Sequence, residues 1–294
     1  MCVEPAPLMQ GGGLVRVRLD IGYDGTRFSG WARQPGQRTV QGEIEHALGI
    51  ILRLDPAPSL TCAGRTDAGV HATGQVAHVD LPRELVTRAA DSVADLARRL
   101  RRLLPEDIRI TRVSHAPRGF DARFSALDRR YLYAVSDDPA GVDPLERHRV
   151  VPHPRPLDLD AMSEAGRQML GEHDFAAFCR PRPGATTIRT LQELHWDRRA
   201  DGLAVMTIVA DAFCHSMVRA VVGALLPVGD GRRDPQWPAD VLRSRVRHPG
   251  VVVAPAHGLV LVEVRYPPDA ELASRQEHTR TMRSLHGDDQ SGGS

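Results

Sequence analysis

The pattern of this chain predicts an α+β fold built from two ferredoxin-like (RRM-like) halves, each ordered β-α-β-β-α-β. Three observations point there. Period-two segments open each half, apolar stripes of helical period alternate with them in the same order twice, and 294 residues suffice for two domains of ordinary size. Antiparallel sheets side by side would leave a central cleft for a ligand. Residues 13–118 are read as the first half, 119–268 as the second, and residues 1–12 as a disordered leader. The tail, 269–294, is polar, ends SGGS and lacks an apolar period, so it too is expected to be disordered.

The first half opens with LVRVRLDIGY, in which Val15, Val17, Leu19 and Ile21 alternate with polar residues as in a half-buried strand. Thr39 reads as the N-cap of a helix carrying Val40, Ile44, Ala47, Leu48 and Ile51, which stops at Asp55-Pro56. Short strands at 58–63 and 73–80 bracket the loop AGRTDAGVHA. One long helix is expected after Pro82, with the stripe Leu85, Ala89, Val93, Leu96, Leu100 and Leu103 beside Arg98, Arg99, Arg101 and Arg102, a solvated face by default. A strand over 107–114 closes this half.

The second half repeats the order: strand 126–136, helix 158–170, strands 187–197 and 203–211, helix 214–227, and strand 258–266. Residues 137–157, rich in proline, read as an irregular insertion.

A composition 41% hydrophobic and 26% charged excludes a fibrous or wholly disordered chain. No run approaches the roughly 20 apolar residues of a membrane helix, and the amino terminus lacks a secretory layout, so a cytoplasmic protein is expected. The four cysteines form no CxxC pair; they suit neither a zinc knuckle nor a disulfide framework, and reduced thiols are expected. Net charge is +1, and all 38 basic residues are arginine, which a GC-rich coding bias would also produce. The positive charge gathers in residues 13–118, where a basic groove for a polyanion has room to form.

The segment most suggestive of chemistry is Gly64-Arg65-Thr66-Asp67-Ala68-Gly69-Val70-His71: two glycines around a single carboxylate. Read alone, an aspartate in a glycine loop is a turn former. Arg219, read alone, is a surface arginine of an amphipathic helix, and Tyr131 and Tyr133 are strand packing residues. His71 reads as structural, and Phe28 and Trp31 as plugs between elements more than as RNA-stacking rings.

Taken whole, GRTDAGVHA resembles the catalytic segment of the tRNA pseudouridine synthase A (TruA) family. Further segments are similar to that family in the same order. They are Tyr23-Asp24-Gly25-Thr26, Phe28-Ser29-Gly30-Trp31, Arg38-Thr39-Val40-Gln41-Gly42, Asp121-Ala122-Arg123-Phe124-Ser125-Ala126, Arg130-Tyr131-Leu132-Tyr133, His173-Asp174-Phe175, Asp211-Ala212-Phe213, Met217-Val218-Arg219 and Gly258-Leu259. The likeness covers about residues 14 to 267. Ala32, where the family has glutamine, and Cys214, where it often has leucine, depart from it.

The resemblance implies an isomerase that converts uridine to pseudouridine in the anticodon arm of tRNA, at nucleotides 38, 39 and 40, acting as a homodimer. It assigns Asp67 as nucleophile or stabiliser of the sugar, Arg219 as its ion-pair partner, and Tyr131 as the ring that stacks on the target uracil. Arg65 would enter the base stack when the nucleotide is flipped out, and Leu259 would pack against the base pocket. An isomerisation transfers no group to a second substrate and changes no oxidation state. No cofactor and no metal are therefore expected, in keeping with the lack of a P-loop or GxGxxG motif. The rival readings are a catalytically silent RNA-binding module or tRNA folding helper on the same fold, and a nucleoside hydrolase, which would call for a second acid or a metal.

Overall fold

The computed structural model describes residues 13–88, 93–180 and 186–280. The expected disordered leader 1–12 lies outside them. β1 (Leu14–Tyr23) buries Val17, Leu19, Ile21 and Tyr23 at alternate positions. α1 (Val40–Leu52) starts where Thr39 Oγ1 accepts a hydrogen bond from Gly42 N, and buries Val40, Ile44, Leu48 and Ile51. β2 shrinks to Thr61–Cys62, whereas β3 extends over His71–Pro82. The long helix expected after Pro82 is described as α2 (Arg83–Arg88) and α3 (Val93–Leu103), with residues 89–92 outside the described set. β4 (Ile108–His115) completes this half.

In the second half β5 (Asp128–Ser136) turns Arg129, Tyr131, Tyr133 and Val135 to one buried face. The expected irregular insertion holds one short strand, β6 (Val151–Pro152), parallel to β5. α4 (Leu159–Arg167), β8 (Ile188–Arg198), β9 (Ala204–Ala210) and α5 (Met217–Gly229) follow in the expected order. β10 (Leu259–Arg265) is the last strand. Two short elements were not legible: β7 (Gly171–Asp174), an edge strand with no apolar alternation, and α6 (Trp237–Ser244), too brief for a full apolar stripe.

The tail also differs from expectation. α7 (Leu272–Arg280) is a helix, not disordered chain. It is anchored chiefly by Leu272, 1% exposed, whose carbonyl accepts from Ser125 Oγ at 3.3 Å, and by Arg275, which donates to Ala126 O. Gly119, at φ +80°, leaves room for Ala273 to pack against it. A single buried leucine makes no periodic stripe, so the pattern could not announce the helix. Residues 281–294 lie outside the described set.

The strands form one ten-stranded sheet ordered β4-β1-β3-β10-β5-β9-β8-β7, with β2 on β3 and β6 on β5. Within each half the order is fourth, first, third, second: β4-β1-β3-β2 and β10-β5-β9-β8, all antiparallel. The fold class is thus α+β with two ferredoxin-like repeats of element order. The halves meet where β10 runs parallel to β3, pairing Val260 with His71 and Leu261 with Ala72. β10 takes the same side of β3 that β2 uses at Ala77 and His78, which is why β2 is confined to two residues.

The seam depends on Gly74 of β3. A Cβ there would overlap the carbonyl of Val262 in β10. Elsewhere in the first half, Arg38 ties the segment before α1 to the start of β4, with its two Nη atoms on the Asp107 carboxylate at 2.8 and 2.9 Å. The Arg38 hydrogen bonds hold the Asp107 carboxyl below its ordinary value.

Gly74→Ala is expected to lower stability by about 1–3 kcal/mol, read as a reduced urea midpoint, whereas exposed Thr73→Ala should leave it unchanged. For Arg38→Ala the sign follows from the depressed Asp107 carboxyl. The stabilisation it contributes is complete above about pH 4 and is lost as pH falls through the folded-state value. The gap in urea midpoint between wild type and Arg38→Ala should therefore be wide at pH 7 and close towards pH 2.

Candidate active site

The loop between β2 and β3 is moulded by the segment that follows β1. Thr66 is buried: its hydroxyl lies 2.8 Å from Tyr23 OH, and its carbonyl accepts from Trp31 N at 3.0 Å. Gly30, at φ +95°, passes so close that a Cβ would stand 2.9 Å from Thr66 O and 3.2 Å from Ala68 N. Gly25 likewise has no room for a Cβ against Val70. Asp67 O accepts from Val70 N at 3.2 Å, closing the turn, so the backbone of Asp67 is fixed from both sides. Phe28 and Trp31 are 4% and 1% exposed and act as plugs; Arg38 lies over the Phe28 ring. His71 is structural: Gly25 N donates to its Nδ1, and its Nε2 reaches His148 O at 2.8 Å.

The side chain of Asp67 reaches across to the start of α5. Arg219 Nη1 donates to Asp67 Oδ2 at 3.1 Å, and Ser216 Oγ donates to the same oxygen at 3.0 Å. His215 Nε2 stands 3.3 Å from Oδ1. The carboxylate is about one-fifth exposed, as is Arg219, so the pair is sheltered yet reachable. Arg219 is itself held: its Nε donates to Ala254 O at 2.7 Å, and its carbonyl accepts from Ala254 N. Gly223, one turn further along α5, has no room for a Cβ against Val252 O; its lack of a side chain lets the 252–254 strand of chain lie that close.

Ser216 precedes α5 with left-handed backbone, φ 61° and ψ 11°, and makes no cap hydrogen bond to the helix. A serine there would ordinarily cap the helix. Here its hydroxyl is turned to the carboxylate, an arrangement in which a disfavoured backbone conformation serves the site. The same short stretch carries Cys214, joined to Cys179 by a disulfide, and Arg180 N donates to His215 O at 3.1 Å. Reduced thiols were expected for all four cysteines; the 35-residue separation of this pair gives no spacing signal. Cys62 is free and buried, and burial pushes its thiol up to about 12.

Tyr131 is 6% exposed, edge-on to Phe213 with ring centres 5.2 Å apart, and its hydroxyl lies 4.0 Å from the Cβ position of Gly64. Burial pushes its phenol up, and Asp67 adds to the rise. Two residues back on the same face, Arg129 is fully enclosed. Its guanidinium donates to Asp211 O at 2.5 Å, Ala63 O at 2.8 Å and Arg123 O at 2.8 Å. One buried cation thereby joins the loop of Asp67, the turn before β5 and the end of β9. Burial lowers its pKa below the ordinary guanidinium value.

Leu259 is buried opposite Tyr133, while Leu261 pairs with Tyr131. Tyr133 OH donates to Pro255 O, bracing the chain that anchors Arg219. Arg65 is exposed beside Asp67, and among the described residues no hydrogen bond or salt bridge ties its guanidinium down. In α3, Arg98 pairs with Asp95, and Arg101 donates to Ile110 O at 2.9 Å.

The structure brings Asp67 and Arg219 into contact, places Tyr131 beside them and leaves Arg65 at the rim. Sequence reasoning missed His215, Ser216, Phe213 and Arg129. The first two stand directly before the helix of Arg219, where a serine reads as a cap. Arg129 shares the strand parity of Tyr131 and Tyr133, a signal of inward direction that its charge obscured.

An anchored carboxylate beside a buried aromatic ring can act as nucleophile or base on a flat, ring-shaped substrate. Among the described residues no group of three or more His, Cys, Asp or Glu side chains could hold a metal ion, and no helix is long and apolar enough to cross a membrane.

Comparison with known proteins bears directly on this site. Residues 165–267 match the family described as tRNA pseudouridine synthase. The chain is 61% identical over 271 residues to the tRNA pseudouridine synthase A of Frankia casuarinae, covering 92% of this chain and 96% of that one. It is 60% identical to the enzyme of that name from Streptomyces griseus, covering 94% and 96%, and 58% identical to that from Streptomyces avermitilis, covering 93% and 95%. Likeness of that extent, spanning both the loop of Asp67 and the helix of Arg219, shows that this chain, an isomerase, belongs to the tRNA pseudouridine synthase A family.

Proposed function

We propose that this protein isomerises uridine to pseudouridine at nucleotides 38, 39 and 40 of the tRNA anticodon arm, with Asp67 as the single catalytic carboxylate and no cofactor. The observation that carries the reading is the carboxylate itself, held through one oxygen by Arg219 and Ser216 while the other faces His215. The guanidinium offsets the cost of sheltering the charge.

The net reaction breaks the bond from N1 to C1′ and makes one from C5 to the same C1′. C5 loses a proton and N1 gains one. Asp67 attacks the nucleoside or stabilises the cationic sugar as N1 departs, and afterwards serves as base towards C5. Tyr131, rigid beside Phe213, stacks on the uracil and holds it while it turns, which an edge-on hydrogen bond could not do. Leu259 supports that pocket from the next pair along the sheet. Arg65, exposed at the rim, fills the stack vacated by the flipped nucleotide; its planar group both stacks and meets phosphate. The arginines of α3 offer a second phosphate contact. A homodimer presenting two such clefts to one tRNA, in the cytoplasm, completes the reading on the strength of the family likeness.

Tritium release from C5-labelled uridine in an anticodon-arm transcript tests this, because C5 loses its hydrogen only on becoming the glycosidic carbon. Wild type should release tritium and Asp67→Ala should be slower by roughly 10³-fold or more at unchanged tRNA affinity. Retained turnover in Asp67→Ala removes the carboxylate from the mechanism. Tight tRNA binding with no release by wild type would favour a silent RNA-binding module, and free uracil a hydrolase.

Arg65→Ala should lower turnover on tRNA by about ten-fold or more while tRNA affinity changes by less. Unchanged turnover would return Arg65 to a loop-bracing role.

A further inference from the structure

We infer that His215 is the proton outlet of Asp67, receiving the proton that the carboxylate takes from C5 and passing it to solvent. The inference rests on the reading of Asp67 as the catalytic carboxylate and adds a residue through which that carboxylate is reset.

The two oxygens of Asp67 are unequal. Oδ2 accepts from both Arg219 Nη1 and Ser216 Oγ, which occupy its lone pairs and fix its position. Oδ1 faces the imidazole of His215 at 3.3 Å. Oδ1 is therefore the oxygen with basicity to spare, and any proton it takes arrives next to Nε2. The imidazole is about one-third exposed, so one edge meets the carboxylate while the ring reaches the solvent of the cleft. Its backbone is held by Arg180 N on His215 O and by the Cys179–Cys214 disulfide one residue back. The side chain is thus mounted on a fixed support, and its own ring is the part left to exchange protons.

The proton count requires such an outlet. Once C5 is bonded to C1′, that carbon carries both hydrogen and sugar, and the ring has a C6=N1 double bond. Asp67 Oδ1 takes the C5 proton; the C–H electron pair becomes C5=C6, the C6=N1 pair moves to N1, and N1 takes a proton from water. Asp67 is left neutral and must lose its proton before the next turnover. With its ring proton on Nδ1, His215 presents the Nε2 lone pair to Oδ1, accepts that proton and releases one from Nδ1 to water. Because His215 acts through Asp67, it is a relay and positioning residue.

Two substrates separate this role from simple support. One is an anticodon-arm transcript with C5-tritiated uridine at the target; the other carries 5-fluorouridine there, whose C5 has no proton to give. In His215→Gln, multiple-turnover tritium release should slow by about 10²-fold, while single-turnover loss of the fluorinated N-nucleoside should stay within about two-fold of wild type. Added imidazole should restore release in His215→Ala, since a free ring can enter the vacated, solvent-facing space. Equal slowing on both substrates, no slowing on either, or no rescue by imidazole would overturn the relay. Asp67→Ala keeps the two questions apart: loss of both reactions there with unaffected His215 variants defeats the relay alone, whereas retained tritium release in Asp67→Ala defeats the reading beneath it.

Discussion

Everything at this site depends on one ionic contact, Asp67 with Arg219, because its two members come from different halves of the chain. A half-sheltered carboxylate is costly without a compensating charge, and a guanidinium in the same shelter is costly without an acceptor. Each therefore constrains where the other's supporting element can lie. The loop of Asp67 must sit at the mouth of β3, and α5 must begin opposite it. The parallel meeting of β3 and β10 is what sets the two at that separation. Ser216, in its left-handed conformation, shows how tightly this is fixed: the chain accepts a disfavoured backbone to add one more donor to the same oxygen.

Behind the contact lies a second layer of polar order. Arg129 gathers three carbonyls from three separate segments without a carboxylate among those acceptors, so its charge is dispersed over backbone dipoles. Such an arrangement is rigid, since losing any one carbonyl leaves a buried donor unsatisfied. The glycines of the segment after β1 work in the opposite way, by absence: Gly25 and Gly30 let one stretch of backbone lie flat against another.

Much of this was legible beforehand because it repeats locally. β1, α1, β5 and α5 announce themselves through spacing of apolar residues, and the string around Asp67 through its length. What escaped notice depends on single residues meeting across long separations. α7 is held by a few contacts near its start, Leu272 foremost, β7 and α6 are too short to show a period, and Cys179 finds Cys214 across 35 residues within the second half. His215 and Ser216 were hidden for another reason: in sequence they look like the ordinary prelude to a helix.

The position of β10 has a consequence for how the protein is made. It is the last strand among the described residues, yet it lies in the interior of the sheet, between β3 and β5. During synthesis on the ribosome, strands β1 to β4 can assemble as soon as they emerge, but the flank of β3 that β10 will occupy stays uncovered until residue 265 is free. Asp67 and Arg219 stand on the two sides of that seam, one before β3 and the other before β10. A nascent chain thus carries Asp67 for most of its translation without the guanidinium that meets it in the folded protein.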